Sequence, residues 1–331
     1  MEESFTGCSR HRHGRQEGSS PGLRSVVSVT APQQGNSRAA ISHTVLPGMP
    51  MTASLVGGAV GGAVVDAPSG LNNRVTVIAH RGASADAPEN TLPAVDLGAD
   101  MLADFIEIDV RMTRDAELVA IHDITLARTT DVEIRYPGRA PWDVGDFTLD
   151  EIRTLDAGSW FGEEFAGTGV PTLQQVLAIV HGRAGLLLEV KRPALYPGIA
   201  KAIVAELDAA GWPRTDAQAG PLVVQSFDWA FMKAFKTLAP EVPVGLLGCP
   251  QSQEQIAELS AWADQINPRH RRVADFVETV HQHQMVSWPY TVDAPRRMRE
   301  LIALGIDGII TNRPNVLIGV LEENRQVDRA A

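Results

Sequence analysis

The feature that most constrains the fold is the alternation of short apolar runs with helical stretches across residues 74–319. Nine runs have the composition of β-strands, and they lie near residues 76, 106, 118, 186, 222, 244, 264, 285 and 308. The run near 118 follows the run near 106 too closely for a parallel crossover, which needs about a dozen residues, so we interpret it as the return arm of a β-hairpin. Eight strands alternating with helices remain. This pattern predicts an α/β fold, a (β/α)8 barrel of the TIM type with an extra hairpin arm.

The stretch from Phe105 to Asp123 carries the most informative pattern of charges. Glu107 and Asp109 are two residues apart, so on a strand they lie on the same face. Two neighbouring carboxylates on a buried strand cost several kcal/mol unless a positive charge lies between them, and a divalent cation with oxygen ligands meets that need. Solvated acids on a half-buried strand would give the same alternation. His122 ends the return arm close to both acids, where an imidazole can transfer protons.

Three other strand ends carry polar side chains. His80 and Arg81 end the first strand, Glu189 and Lys191 share a face at the end of the strand near 186, and Tyr290 follows the strand near 285. Each has a plain alternative: a core histidine, a salt bridge from Arg81 to a nearby acid, or a surface Glu–Lys pair. Barrel enzymes keep their chemistry at the carboxyl ends of the strands, so one face is expected to collect His80, Arg81, Glu107, Asp109, His122, Glu189, Lys191 and Tyr290.

Residues 124–172 form a long insertion without clear strand periodicity. Loops of this length in a compact domain are usually functional or disordered. Trp160 and Phe161 could form an apolar wall over the site, which makes Phe161 a candidate substrate contact. They could equally anchor the insertion to the barrel.

Composition limits the classes of function. The net charge is -11, with 40 acidic residues against 29 Lys and Arg, and a nucleic-acid binder needs a basic surface instead. A small anionic substrate needs only a local positive site. No run of about 18 apolar residues occurs, so no stable membrane insertion is expected. The two cysteines imply no disulfide framework.

The ends of the chain are expected to lie outside the barrel. Residues 1–40 are rich in Ser, Gly, Arg, His and Gln, and residues 1–73 are predicted to be a disordered, low-complexity extension. The segment 49–70 has some features of an export signal, although translation could also start at Met49 or Met51. A cytoplasmic protein is favoured, and a secreted one follows if 49–70 belongs to an export signal. Residues 320–331 are expected to form a C-terminal tail, and the oligomeric state cannot be inferred.

Several motifs resemble the glycerophosphodiester phosphodiesterase family. They appear in that family's order between Val77 and Pro314, and they are AHRGASADAPENT, EIDVRMTRDAELVAIHD, LARTT, VPTLQQVL, LLLEVK, QSFD and GIDGIITNRP. The resemblance implies a TIM-type barrel, one divalent cation, and hydrolysis of small glycerophosphodiesters to an alcohol and sn-glycerol 3-phosphate. It also implies a place in lipid and glycerol metabolism. The ion could be Ca²⁺, Mg²⁺ or Mn²⁺.

The resemblance also assigns roles to the proton-transfer and metal-binding residues. The catalytic histidine pair of the family corresponds to His80 and His122. Its metal-binding carboxylates correspond to Glu107, Asp109 and Glu189. One histidine would take a proton from the nucleophile and the other would donate one to the leaving alkoxide, without the sequence saying which does which. The nucleophile is the glycerol 2-hydroxyl in the favoured route, through a cyclic phosphate, and water in the alternative route.

The remaining assigned roles concern the substrate. Arg81 and Lys191 correspond to the phosphate-contacting residues of the family, and Glu89 is expected to support the site rather than bind metal. The chain departs from the family at Tyr290, which stands where a tryptophan usually packs against the glycerol. The head group is therefore left open.

Three alternatives remain, of which a purely structural protein is the least favoured and would be supported by the lack of any thermal stabilisation by divalent ions. A lysophospholipase D or sphingomyelinase D-like enzyme would use the same barrel and histidine pair on a lipid diester, and an apolar rim on the insertion would favour it. A non-catalytic barrel that binds phosphodiesters belongs to another class. The presence of both histidines and all three acids argues against that class, because a binding module needs no proton-transfer pair.

Overall fold

The computed structural model of the protein describes residues 75–212 and 220–330. The extension predicted over residues 1–73 and the segment 49–70 within it lie outside the described residues. The strands are β1 (Thr76–His80), β2 (Phe105–Met112), β3 (Leu118–Ala120), β4 (Gly185–Val190), β5 (Leu222–Ser226), β6 (Val244–Leu247), β7 (Gln265–Asn267) and β8 (Gly308–Thr311). The helices are α1 (Leu92–Asp100), α2 (Val132–Arg135), α3 (Leu149–Ile152), α4 (Leu173–Val180), α5 (Ile199–Ala209), α6 (Trp229–Leu238), α7 (Gln253–Leu259), α8 (Val277–Gln282), α9 (Pro295–Ala303) and α10 (Pro314–Ala330). Among the described helices, none is long and apolar enough to cross a membrane.

The sheet has the order β7-β6-β5-β4-β2-β1-β8, and all of these neighbours are parallel. The strands are buried on both faces because helices cover the outer face. Strand β3 pairs antiparallel with β2, with Ala120 opposite Val110. The predicted barrel-type fold with a hairpin arm is therefore confirmed.

The segment 285–292 does not contain the regular strand that the sequence predicts for its first four residues. It lies between β7 and β8 and makes backbone hydrogen bonds to both, including Ile266 N to Val286 O at 2.9 Å and Ile310 N to Pro289 O at 3.0 Å. It pairs with its neighbours through isolated bridges and not through a continuous ladder. The prediction of a regular strand over Met285–Trp288 is therefore wrong. Pro289 has no N–H to donate, and Trp288 N donates to the side chain of Asn267 instead of a strand carbonyl. The eighth position of the barrel is thus filled by an irregular segment.

The insertion 124–172 is not the plain loop that its sequence suggested. It contains α2 and α3 and two 3₁₀ turns, and it buries its own apolar cluster around Val144, Phe147 and Ile152. Helix α3 begins with a capping box between Thr148 and Glu151. The helices and 3₁₀ turns of the insertion are only three or four residues long. The apolar residues therefore do not repeat with a helical period, and the sequence pattern does not indicate these helices.

The last helix changes the boundary that the sequence indicated at the C-terminus. Helix α10 runs from Pro314 to Ala330, so residue 320 lies inside a helix and not at the start of a tail. Its first half packs on the barrel through Leu317, Val320 and Leu321, which are buried.

Gly82 fixes how the chain leaves β1 after His80 and Arg81. Its φ is +79°, and a Cβ there would lie 2.4 Å from the backbone carbon and oxygen of Ala94. Gly305 has the same φ of +79° with nothing within 4 Å of the added Cβ. An alanine at each position therefore distinguishes the cost of a left-handed backbone, which both share, from the cost of a steric clash, which occurs only at Gly82.

We predict that Gly82→Ala destabilises the protein more than Gly305→Ala, as measured by urea unfolding. Gly305→Ala should cost about 1–2 kcal/mol for a left-handed alanine. Gly82→Ala should add about 1–3 kcal/mol because α1 must shift. Equal losses in the two variants would contradict the close packing of α1 on the exit of β1.

Candidate active site

The inward-facing side chains form an apolar layer with polar side chains above it. The apolar layer consists of Ile78, Phe105, Leu187, Val223, Trp288 and Ile310. Because side chains alternate along a strand, the residues two positions further on face the same interior, and these are His80, Glu107, Glu189 and Gln225. Strand register places His80 beside Glu107, and Asp109 beside Glu189. The polar layer thus lies at the carboxyl ends of the strands, where barrel enzymes hold their sites.

Glu107, Asp109 and Glu189 form a buried carboxylate triad. One oxygen of each lies within 4.8 Å of the others. Burial, reinforced by the charge of Asp109, raises the pKa of Glu107 well above its usual range and that of Glu189 to about 7. Among the described residues, Glu107 Oε1 and Asp109 Oδ1 have no hydrogen-bond partner. Three clustered buried carboxylates with oxygens that lack hydrogen bonds fit a divalent cation, which prefers oxygen ligands.

Asp109 is held in its charged form by two cations and an amide. Burial alone would raise its pKa, but Arg81 and Lys191 lower it. Arg81 Nε lies 3.2 Å from Oδ2, and Lys191 Nζ lies 3.4 Å from Oδ1. Asn90 Nδ2 donates to Oδ2 at 2.8 Å, and Asn90 Oδ1 accepts from the Asp109 backbone N–H at 3.0 Å. This carboxylate is therefore fixed in position before any ligand binds.

Arg81 and Lys191 both have carboxylate partners and both reach the cavity above the triad. Arg81 Nη1 bonds to Glu89 Oε1 at 2.8 Å, and its backbone N–H donates to Glu107 Oε2 at 2.8 Å. Lys191 Nζ lies 2.5 Å from Glu189 Oε1. The salt bridge between Arg81 and Glu89, one of the plain alternatives for Arg81, is present together with the contact to the triad. Glu89 itself lies behind Arg81 and outside the triad.

His80 is oriented by a chain of hydrogen bonds. Asp293 Oδ2 accepts from Asn312 Nδ2 at 2.8 Å, which turns the oxygen of Asn312 towards His80 Nδ1 at 2.6 Å. Nδ1 therefore carries the proton, and Nε2 faces Glu107 Oε2 at 4.0 Å. Burial, with the charge of Arg81, lowers the pKa of His80 to about 4. In the neutral form, Nε2 has a free lone pair directed into the site.

His122 is oriented differently, by a carboxylate. Asp123 Oδ1 lies 2.6 Å from His122 Nδ1, and Arg128 Nε donates to Asp123 Oδ2 at 2.6 Å. Arg128 also contacts Glu89 at 2.6 and 2.9 Å, which links the surroundings of His122 to those of Arg81. Arg111, a buried arginine, donates twice to the carbonyl oxygen of His122, at 2.6 and 3.0 Å. On balance the pKa of His122 is lowered, by burial and by the charges of Arg81 and Lys191, although Asp109 and Asp123 oppose the shift.

Two cavities open above the triad. One has about 530 Å³ and is lined by His80, Arg81, Glu107 and Tyr290 among others. The other has about 900 Å³ and lies towards Leu195 and Trp229. His122, Glu189, Lys191 and Phe227 line both cavities.

The aromatic residues singled out in the sequence have different positions. Tyr290 lies at the cavity, with its ring centroid 5.9 Å from that of Phe227. Phe161 does not line either of these two cavities in the described part of the chain. It packs between Trp160 and Phe165 on the insertion, with centroids 5.6 and 5.5 Å away. This position is that of an anchor for the insertion.

Sequence reasoning missed several residues that touch the site. Asn312 comes directly after β8, so the rule of strand ends could have identified it. Arg128 and Phe227 lie within the LARTT and QSFD motifs, which were noticed without being given a role. Asp123 and Arg111 lie within the EIDVRMTRDAELVAIHD motif and were likewise given no role, because their contacts with His122 depend on how the hairpin β2–β3 folds back.

A family model described as the glycerophosphoryl diester phosphodiesterase family matches residues 80–316. The chain belongs to this family. It is 35% identical over 256 residues to a glycerophosphodiester phosphodiesterase of Caldanaerobacter subterraneus subsp. tengcongensis, a match that covers 76% of this chain and 99% of that protein. It is 33% identical to a glycerophosphodiester phosphodiesterase of Bacillus subtilis over 258 residues, covering 74% of this chain and 85% of that one. The resemblance in the sequence is thereby confirmed, and the protein is an enzyme of the glycerophosphodiester phosphodiesterase type.

A solved structure shares the fold of this phosphodiesterase. It is that of a phosphodiesterase from Oleispira antarctica, determined in complex with the product sn-glycerol-3-phosphate. The TM-score is 0.66 at 28% sequence identity, and the match covers 75% of this chain and 96% of that one.

We predict that a divalent cation raises the melting temperature of this phosphodiesterase, because the ion relieves repulsion within the triad in the native state only. Ca²⁺, Mg²⁺ and Mn²⁺ should each be titrated by thermal unfolding. Glu107→Gln should abolish or strongly reduce the shift. Glu117→Gln, at the exposed turn of the same hairpin, is the matched control and should keep it. An equal shift in wild type and Glu107→Gln would show that the ion binds elsewhere.

Proposed function

We propose that this enzyme hydrolyses glycerophosphodiesters to an alcohol and sn-glycerol 3-phosphate, with one divalent cation bound by Glu107, Asp109 and Glu189. The observation that carries the proposal is the buried carboxylate triad with two imidazoles and two cations around it, at the open end of the barrel. The product-bound relative from Oleispira antarctica supports the choice of substrate. Ca²⁺, Mg²⁺ and Mn²⁺ all suit a site made of carboxylate oxygens.

Arg81 and Lys191 bind the phosphodiester anion beside the triad. Both are less than one-fifth exposed, at 17% and 12% of the side chain, so their charges are screened little by water. The bound cation supplies further electrostatic stabilisation of the phosphoryl oxygens. Negative charge that grows on the phosphorane-like transition state is therefore met by groups already in place.

His80 is the general base in this proposal, and His122 is the general acid. The proton of His80 Nδ1 is held by a neutral amide, so its Nε2 accepts a proton from the attacking 2-hydroxyl of glycerol. His122 has the carboxylate of Asp123 on Nδ1, which favours the protonated imidazole and lets Nε2 donate to the leaving alkoxide. Water then opens the cyclic phosphate. Direct attack by water would use the same two residues.

A second candidate function has one observation in its favour. The cavity of about 900 Å³ has apolar walls that include Pro193, Leu195, Phe227 and Trp229. Leu195 and Phe227 are 52% and 55% exposed, and exposed apolar residues beside a site suit an acyl chain. A lysophospholipase D-like activity on lipid diesters would use this wall, to which the insertion 124–172 contributes only its first two residues, Ile124 and Thr125. Release of choline from lysophosphatidylcholine micelles, compared with glycerophosphocholine, distinguishes the two substrates.

We predict that the two histidine variants respond differently to the leaving group. On glycerophosphocholine, His80→Ala and His122→Ala should each lose about 10²-fold or more in turnover, the usual size of acid–base effects. On the 4-nitrophenyl diester of glycerol phosphate, His122→Ala should recover most of its loss, because that leaving group needs no acid. His80→Ala should stay impaired on both substrates.

The control for this experiment is His281→Ala. His281 lies on α8, bonds to Asp307 at 2.9 Å, and lines neither cavity in the described part of the chain. Its variant should keep wild-type rates. Recovery by His80→Ala in place of His122→Ala would reverse the two roles, and near-normal turnover in both variants would exclude the histidine pair.

A further inference from the structure

The loop after β7 brings a second group of cations to the cavity of about 530 Å³. Arg269, His270 and Arg271 line this cavity together with the triad residues Glu107 and Glu189. Arg269 and Arg271 are exposed, and within 75–212 and 220–330 neither guanidinium has a carboxylate or hydrogen-bond partner. Both side chains are therefore available to a ligand in the cavity.

The loop is held in a defined position. His270 N donates to Tyr290 O at 3.0 Å, and Tyr290 N donates to Pro268 O at 3.2 Å, so the loop is tied to the segment that completes the barrel. Arg297, on α9, donates to His270 Nδ1 at 3.2 Å and to the His270 carbonyl oxygen. This bracing keeps the backbone beneath Arg269 and Arg271 in place, which lowers the cost of binding a ligand there.

Arg269 and Arg271 differ from the other two cations of the site in their partners. Arg81 and Lys191 each have acidic partners within the site. Arg269 and Arg271, in contrast, have no carboxylate partner among the described residues. Guanidinium groups bind phosphate through paired hydrogen bonds. The cavity thus offers two guanidinium groups that its described carboxylates do not engage.

We propose that Arg269 and Arg271 bind a second phosphate group, carried on one arm of the diester substrate. This inference rests on the proposed function, since it describes the substrate of the same site. The substrate class is a glycerophosphodiester whose alcohol or glycerol portion is itself phosphorylated. Arg272, the next residue, serves as an internal comparison, because its Nε is already bonded to Asp275 at 2.7 Å and it lines neither cavity.

The test compares two substrates that differ only in the second phosphate. They are glycerophosphoglycerol and the same compound with a phosphate on one terminal hydroxyl. Because the two arms of glycerophosphoglycerol are alike, the phosphorylated arm can enter the cavity in either role. Wild-type enzyme should hydrolyse the phosphorylated diester with the higher kcat/KM. The ratio of the two kcat/KM values should fall about tenfold or more in Arg269→Gln/Arg271→Gln, chiefly through KM, as expected when charge-assisted hydrogen bonds are lost.

Arg272→Gln is the matched control and should keep the wild-type ratio. It removes one positive charge from the same loop, so it also measures any long-range effect of charge. An unchanged ratio in Arg269→Gln/Arg271→Gln, or an equal fall in Arg272→Gln, would overturn the proposed subsite.

A binding experiment separates this proposal from the proposed function. Calorimetry would compare glycerol 1,3-bisphosphate with sn-glycerol 3-phosphate on wild type and on Arg269→Gln/Arg271→Gln. If wild type hydrolyses neither diester but binds the bisphosphate more tightly in a way that needs both arginines, the function fails and the subsite stands. If wild type hydrolyses the diesters and shows no preference for the bisphosphate, the subsite fails and the function stands.

Discussion

The repulsion between three buried carboxylates is the constraint on which the site depends. Glu107, Asp109 and Glu189 face one another inside the barrel, and without compensation such a cluster would oppose folding by several kcal/mol. Arg81 and Lys191 compensate Asp109 directly. Glu107 Oε1 still lacks a hydrogen-bond partner among the described residues, which is the reason that the site fits a divalent cation. In the proposed function, the carboxylates that would bind the metal and the cations that would bind the substrate are thus parts of one charge balance.

Much of this site follows from the period of a strand. Once β2 and β4 are recognised as neighbouring parallel strands, the alternation of side chains places Glu107, Asp109 and Glu189 on one interior face. The same rule places His80 at the end of β1. These positions could be predicted because a buried parallel strand has a clear apolar run, and because the carboxyl ends of such strands meet at one end of a barrel.

The rest of the site depends on contacts between segments far apart in the chain. Asn312 meets His80 across 232 positions, and Arg128 meets Glu89 across 39; no local pattern encodes such pairs. The same is true of Arg269, whose place beside Tyr290 requires the irregular segment 285–292. That segment itself was mispredicted because local composition favoured a strand, whereas Pro289 and the side chain of Asn267 decide its hydrogen bonds.

The measurement that tests the account most directly is release of sn-glycerol 3-phosphate from glycerophosphocholine by the purified protein, before and after treatment with a chelator. The account predicts release that the chelator abolishes and that one of Ca²⁺, Mg²⁺ or Mn²⁺ restores, because the proposed mechanism includes a cation bound by the triad. Full release in the presence of the chelator, or no release by folded protein loaded with each of these ions, would contradict it.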